Sequence, residues 1–398
     1  MSELYELPDG WEWKKLESIV KLKNGFAFKS KLFTSKGLPI VRIKNIKKER
    51  VSLEDVVYFD DSDYKNKLDN YKIQENDLLL AMSGATTGKI GLYKNKETSY
   101  LNQRVGLFRI IDKELRSYLF YFLSTQIEKN LAQSLGAAQP NLSSLQINEM
   151  KIPLPPLKEQ KRIVSKLDTL FEKIDKAIEL HEKNIKEADA FMGSVLNEVF
   201  EELEEKYEKK ELFKIAEVNR GKSKHRPRND KKLFGGKYPF IQTGDVRKAN
   251  KYINSYENTY SEFGLLQSKL WKKGTICLTI AANIGDVAIL DIESCFPDSI
   301  VGIYSNENSN DFLYYFFLTL KQHLESKATT TAQMNINLKV LQTIGIPLPS
   351  LAVQQKTVKY LDQVSQKIEN TKAIQKEKLQ NLKDLKASIL DQAFKGQL

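Results

Sequence analysis

A chain of 398 residues, 41% hydrophobic and 28% charged, is long enough for two to four domains at roughly 100 to 200 residues each, and its balance excludes a disordered or fibrous protein. Lys and Arg number 62 against 51 Asp and Glu, a net charge of +11; that excess attracts a polyanion, with nucleic acid the leading class. Cys277, Cys295, His181, His225 and His323 are too few for a four-ligand zinc site or a disulfide framework, no apolar run nears the roughly 18 to 20 residues of a bilayer span, and Met1-Ser2-Glu3-Leu4 lacks the order of a signal peptide, so a soluble cytoplasmic protein with no metal and no membrane contact is expected.

Along the chain, residues 40–43, 78–82 and 105–110 predict strands, and 115–131 has helical spacing. Beyond Pro155-Pro156, Leu167, Phe171, Ile174, Ile178, His181, Ile185, Ala188, Met192, Val195 and Val199 alternate steps of four and three. That is a heptad seam on a helix of about residues 158–205, on the order of 70 Å long, with His181 read as a polar seam residue and not a ligand. Residues 275–281 and 300–304 predict strands again and 312–324 a helix. The final segment keeps Leu361, Ile368, Leu379, Leu382 and Ile389 in the seam but places Lys372 and Gln375 where apolar residues belong. An antiparallel pairing of the two long helices is the expected arrangement, although pattern alone does not fix its direction.

These elements form one long repeat. Ile152-Pro153-Leu154-Pro155-Pro156-Leu157 returns as Ile346-Pro347-Leu348-Pro349-Ser350-Leu351, with 347 − 153 = 194. At the same offset Gln160 meets Gln354, Leu167-Asp168 meets Leu361-Asp362, and Gln139 and Asn141 meet Gln333 and Asn335. Earlier in each half the offset drifts, as loops of unequal length require: Gly25 matches Gly221, Pro39-Ile40-Val41 matches Pro239-Phe240-Ile241, and Gly106 matches Gly302. A repeat of this period sets the architecture. The expected fold class is α+β: two similar mixed α/β domains at 1–151 and 207–345, joined by long helical segments at 152–206 and 346–398, with a pseudo-twofold internal repeat.

The residues bear comparison with four chemistries. Ser83-Gly84-Ala85-Thr86-Thr87-Gly88-Lys89 falls short of a P-loop, which needs four residues between its glycines and a Ser or Thr after the lysine, where Ile90 stands. Ser83, Thr86, Thr87 and Lys89 remain candidates to face a phosphate backbone, or form a plain turn. Asp298, Glu325 and Lys327 resemble the acidic spacing of metal-dependent nucleases, but the matching Asn102-Gln103-Arg104 carries no carboxylate. No adenosyl-binding glycine loop and no Asn/Asp-Pro-Pro-aromatic tetrapeptide marks a methyltransferase core. Nucleic-acid contact has the most support. Arg220, Lys222, Lys224, Arg226, Arg228, Lys231 and Lys232 crowd one loop, with Lys29, Lys31, Lys44, Lys47 and Lys48 their regional counterparts. Arg42 and Asn45 match Gln242 and Asp245, and with Thr243, Arg247, Asn102, Gln103, Arg104 and Asn283 they supply side chains suited to base edges. For Gln139, Asn141, Gln333 and Asn335 a structural role is an equal reading, because a residue kept in two domains discriminates poorly between their targets.

The layout resembles the specificity subunit of Type I restriction-modification systems over essentially the whole chain. Leu7-Pro8-Asp9-Gly10-Trp11-Glu12-Trp13-Lys14-Lys15-Leu16 is similar to the family's opening segment, and both Ile-Pro-Leu-Pro stretches, with Gln160 and Gln354, are similar to the ends of its target-recognition domains. The second half departs at its start, where Lys209-Lys210-Glu211-Leu212 replaces the Trp-x-Trp opening. The resemblance implies that each recognition domain reads one half of a bipartite, asymmetric target in double-stranded DNA while the helices set the gap. It implies a non-catalytic subunit that binds no cofactor itself. Adenosylmethionine is then expected on two modification subunits that methylate adenine, and ATP on two restriction subunits where these are present. The rivals are the nuclease above and a coiled-coil adaptor that never touches DNA.

Overall fold

In the computed structural model the described residues are 5–47, 49–64, 68–133, 142–281, 284–327 and 338–398, with the backbone alone described at 85, 126–133 and 321–327. They form two compact units, 1–180 with 378–398 and 181–377. Each unit therefore holds one mixed domain and a part of both long helices, a division that linear boundaries do not follow.

The first unit is built on a five-stranded sheet in the order Lys23–Asn24, Val105–Phe108, Leu78–Ala81, Ile90–Leu92, Glu49–Arg50. Neighbours are antiparallel except the last pair, which is parallel. Its central strands are apolar throughout because both faces are covered. Leu78 and Leu80 join Phe108, Tyr118 and Phe122 on one side, whereas Leu79 and Ala81 join Val41, Ile73 and Leu101 on the other. A four-stranded sheet of Val57–Phe59, Leu38–Val41, Ser99–Leu101 and Lys72–Ile73 covers that second side. The strand expected at 40–43 ends at Val41, where the backbone turns into the 3-10 segment Ile43–Asn45.

The second unit repeats the frame. Glu217–Arg220, Ile300–Tyr304, Ile276–Thr279, Val287–Leu290 and Tyr252–Ile253 stand in the same order, again with only the last pair parallel. Each mixed domain is closed by a ribbon. Glu12–Lys15 pairs antiparallel with Lys151–Leu154, setting Trp13 opposite Pro153, and Lys209–Glu211 pairs with Gly345–Pro347. The second ribbon forms without the Trp-x-Trp opening because a two-stranded ribbon leaves an outer edge where proline and charged residues are tolerated.

Both ribbons lead into the long helices Leu157–Lys206 and Leu351–Phe394. Gln160 Nε2 donates back to the Pro155 carbonyl (2.9 Å) and Gln354 Nε2 to that of Pro349 (3.0 Å), both glutamines being buried. The helices Lys113–Gln133 and Asn310–Lys327 are tied to their neighbours alike: Tyr121 Oη donates to Asp168 and Tyr315 Oη to Asp362, each at 2.5 Å. Leu167 and Leu361, one residue before each aspartate, are fully buried. The repeated sequence thus marks residues whose side chains join elements.

In the first unit Leu167, Phe171, Ile174 and Ile389 are buried in the seam, with Ile178 and Leu382 partly so. In the second, Val195, Leu361 and Ile368 are buried and Met192 lies against the same core. Ile185 and Leu379 are half-buried. His181 hydrogen-bonds Gln375, and Lys372, only 15% exposed, reaches Asp189 at 2.7 Å and Glu369 at 2.8 Å. Numbers rising on one helix meet numbers falling on the other, so the pairing is antiparallel. The polar residues that interrupt the second seam meet polar partners there.

Candidate nucleic-acid interface

In the first unit three loops converge at one end of the sheets. The Asn102 N–H donates to the Val41 carbonyl (3.1 Å), the Met82 N–H to that of Arg104 (3.1 Å), and Thr86 Oγ1 to that of Ile43 (3.1 Å). These bonds bring Arg42 and Lys44, the Ser83–Lys89 turn, and Asn102, Gln103 and Arg104 to one edge. Lys44, Lys89, Gln103 and Arg104 are exposed, and Arg42, Ser83, Thr86, Thr87 and Asn102 half-buried. The Ser83–Lys89 segment joins antiparallel strands through a 3-10 turn, Gly84–Thr86, and no helix follows it. Thr87 Oγ1 closes that turn on the Gly84 carbonyl (2.6 Å). Lys29 and Lys31 are exposed at the 3-10 turn Ser30–Leu32.

The second unit forms the same edge. Ile241 N–H donates to the Cys295 carbonyl (2.8 Å), Ile280 N–H to Ser299 (3.0 Å) and Lys222 N–H to Phe296 (3.1 Å). Here Arg228, Gln242, Thr243 and Ser299 line a cavity of about 330 Å³ backed by Phe240 and Tyr260, which stack at 3.9 Å. Arg228 Nη2 donates to both oxygens of Asp298, at 2.9 and 2.8 Å. The basic loop is ordered by its own polar groups: Arg226 donates to the Ser223 and His225 carbonyls, and His225 pairs with Asp230 at 2.8 Å. Hydrogen bonds from the Lys232 N–H and His225 hold the Asp230 carboxyl below its usual range. Arg220, Lys222, Lys224 and Arg247 are exposed.

Two candidates change role. Asn45 is 1% exposed, and its Oδ1 accepts the Arg42 N–H at 3.0 Å. Asp245 Oδ2 accepts the Gln242 N–H at 2.8 Å. The matched Asn45 and Asp245 are thus backbone caps; Asn45, buried as well as spent on its cap, has no base edge within reach, whereas Asp245 is half-buried. Asp298, placed by sequence with a nuclease, instead pairs with Arg228. Its counterpart is Gln103, since both sit in the turn that ends with Val105 N–H on Asn102 O and Ile300 N–H on Pro297 O. The turn bonds set this correspondence at 195 residues, between the 194 and 196 of the neighbouring repeat matches, and the pairing with Arg228 has no sequence signal. Glu325 and Lys327 are described by backbone alone, and Lys48, Gln139, Asn141, Asn283, Gln333 and Asn335 lie outside the described residues. Among the described residues no three His, Cys, Asp or Glu side chains stand where they can share a metal ion. Among them too, no helix is long and apolar enough to cross a membrane.

Comparison with known proteins bears on this doubled edge. The family model of the Type I restriction modification DNA specificity domain matches residues 8–188 and again 204–380. The chain is 27% identical to the putative type I restriction enzyme MjaX specificity subunit of Methanocaldococcus jannaschii, over 100% of this chain and 96% of that one. It is 25% identical to the type I restriction enzyme EcoBI specificity subunit of Escherichia coli, over 99% and 88%. In fold it is similar to a chain from a structure of complex assembly and conformational transition in the type I R-M system, with a TM-score of 0.77 at 23% identity over 99% of this chain and 100% of that one. A second likeness is to the HsdS subunit of Thermoanaerobacter tengcongensis, with a TM-score of 0.52 at 21% identity over 99% of each chain.

Proposed function

Since the chain belongs to the Type I restriction-modification DNA specificity family, we propose that each unit reads one half of a split, asymmetric target in double-stranded DNA. The observation that carries this reading is the loop-bearing edge, built twice on one strand order with different side chains at matched positions. Exposed lysines and arginines supply phosphate contacts, which fix position, and the polar side chains between them read bases. The two long helices set the gap between half-sites.

The chain has no catalysis of its own in this reading. It docks two modification subunits, which hold adenosylmethionine and methylate adenine, and two ATP-driven restriction subunits where the system includes them, all in the cytoplasm. Asp298 supports the non-catalytic role, since its carboxylate is engaged by Arg228. Purified chain with magnesium or manganese should leave duplex DNA intact, and metal-dependent cleavage lost in Glu325→Ala would reverse this assignment. Its DNA affinity should fall steeply with salt, because phosphate contacts release counterions; a flat response would favour the adaptor. The direct test is long-read mapping of methyladenine in the host genome with and without the gene. One split motif should lose its methylation on deletion, and an unchanged genome would contradict the proposal.

A further inference from the structure

Resting on that reading, we infer that Arg42 and Gln242 are equivalent base-discriminating residues, Arg42 for a guanine in the first half-site and Gln242 for an adenine in the second. The two positions have the same backbone, with φ −107° and ψ 167° at Arg42 and φ −109° and ψ 169° at Gln242. Each is locked from both sides. The N–H is held by the side chain three residues on, Asn45 at 3.0 Å or Asp245 at 2.8 Å, and the carbonyl accepts that same residue's N–H at 2.9 or 3.0 Å. Each follows the end of a matched strand, Leu38–Val41 or Phe234–Phe240. The frame delivers any side chain at this position to the same place, and the two domains differ in which one they deliver.

The difference is chemically specific. A guanidinium offers a fork of donors that fits the O6 and N7 acceptors of guanine, while a carboxamide offers one donor and one acceptor, which fits N7 and N6 of adenine. Neither side chain is used up by the fold. Arg42 lies over the Phe33 ring at 5.7 Å and has a 3.5 Å contact to the Asp55 carbonyl, and its Nε is buried without a hydrogen-bond partner. Ser83 Oγ, on the adjoining turn, lacks a partner as well. Partial burial lowers the Arg42 pKa from its ordinary value, with Asp55 opposing. Gln242 is exposed at the wall of the cavity it shares with Arg228, Thr243 and Ser299.

The test is the methylation motif of the assembled modification complex carrying Arg42→Gln, Arg42→Lys or Gln242→Arg. The wild-type complex must first give a bipartite motif, and failure there contradicts the family-level reading rather than this one. Arg42→Gln should move one position of one half-site from guanine towards adenine, with discrimination changed about ten- to a hundred-fold. Gln242→Arg should do the reverse in the other half-site. Arg42→Lys keeps the charge and the capped backbone but loses the fork, so it should blunt the guanine preference while DNA is still bound. An unchanged motif in all three would overturn the inference. A uniform loss across sequences in Arg42→Gln, with full rescue by Arg42→Lys, would mark Arg42 as a phosphate contact and overturn it as well.

Discussion

The two loop edges share their scaffold and differ in what they display. Both are stitched by hydrogen bonds between backbone groups at matched places, from Met82 to Arg104 and from Ile280 to Ser299, and such bonds are indifferent to the side chains above them. Above them stand Arg42 against Gln242, Gln103 against Asp298, and Arg104 against Ser299. On the proposed function, folding information and recognition information then occupy different atoms of the same residues. One frame can carry two readings without being redesigned.

The hardest way to break that comparison is to strike the scaffold in one copy. A Cβ on Gly25 would lie 2.1 Å from the Asn102 carbonyl oxygen, and one on Gly221 2.3 Å from that of Pro297. Both obstacles are backbone, which no rotamer relieves. Gly25→Ala and Gly221→Ala should each cost about 3 kcal/mol or more, with hydrogen exchange rising in the sheet of one unit alone.

Next come the matched ties between helices. Tyr121→Phe or Tyr315→Phe should cost about 1 to 2 kcal/mol in thermal or urea unfolding, each hydroxyl bonding a carboxylate. Burial first, and the adjacent carboxylate second, raise both tyrosines above their ordinary range. Their stabilisation is thus complete below the unfolded tyrosine value of about 10 and is lost as pH rises above it. Above that pH the wild-type Tm should fall more steeply than that of the double phenylalanine variant; parallel slopes would refute the assignment. Matched four-residue insertions near Glu187 and Lys372 add about 6 Å to each long helix and should widen the gap in the methylation motif with both half-sites intact.

The smallest expected effect sharpens the display side. Asp298→Asn releases Arg228 from a half-exposed pair, so stability should move by less than about 1 kcal/mol. Duplex affinity should rise at low salt, with a salt slope steeper by about one. Unchanged binding would show that Arg228 does not face DNA.

The repeat was legible in sequence because its best-kept residues make bonds that few others can make: Gln160 and Gln354 reaching back to proline carbonyls, Asp168 and Asp362 accepting tyrosines, Gly25 and Gly221 under passing backbone. The side sheets were legible only around Leu38–Val41 and its repeat Phe234–Phe240, since most of their other strands run two or three residues and leave too short a period to read. Lys386 shows a second limit. It is 15% exposed, bonds Asp175 at 2.8 Å and lies 4.6 Å from the Phe171 ring centre, yet in a helix rich in Lys and Glu it looks like any surface lysine. Asn45 shows a third, because an asparagine that caps a turn and one that reads adenine are the same letter.

The central claim, that the two edges read independently on a shared frame, is tested most directly by exchanging residues 212–344 for the corresponding stretch of another family member. Both strands of the closing ribbon, Lys209–Glu211 and Gly345–Pro347, stay in place. Methyladenine mapping should then show a new second half-site with the first half-site and the gap unchanged. A change in the first half-site, or in the gap, would contradict the account.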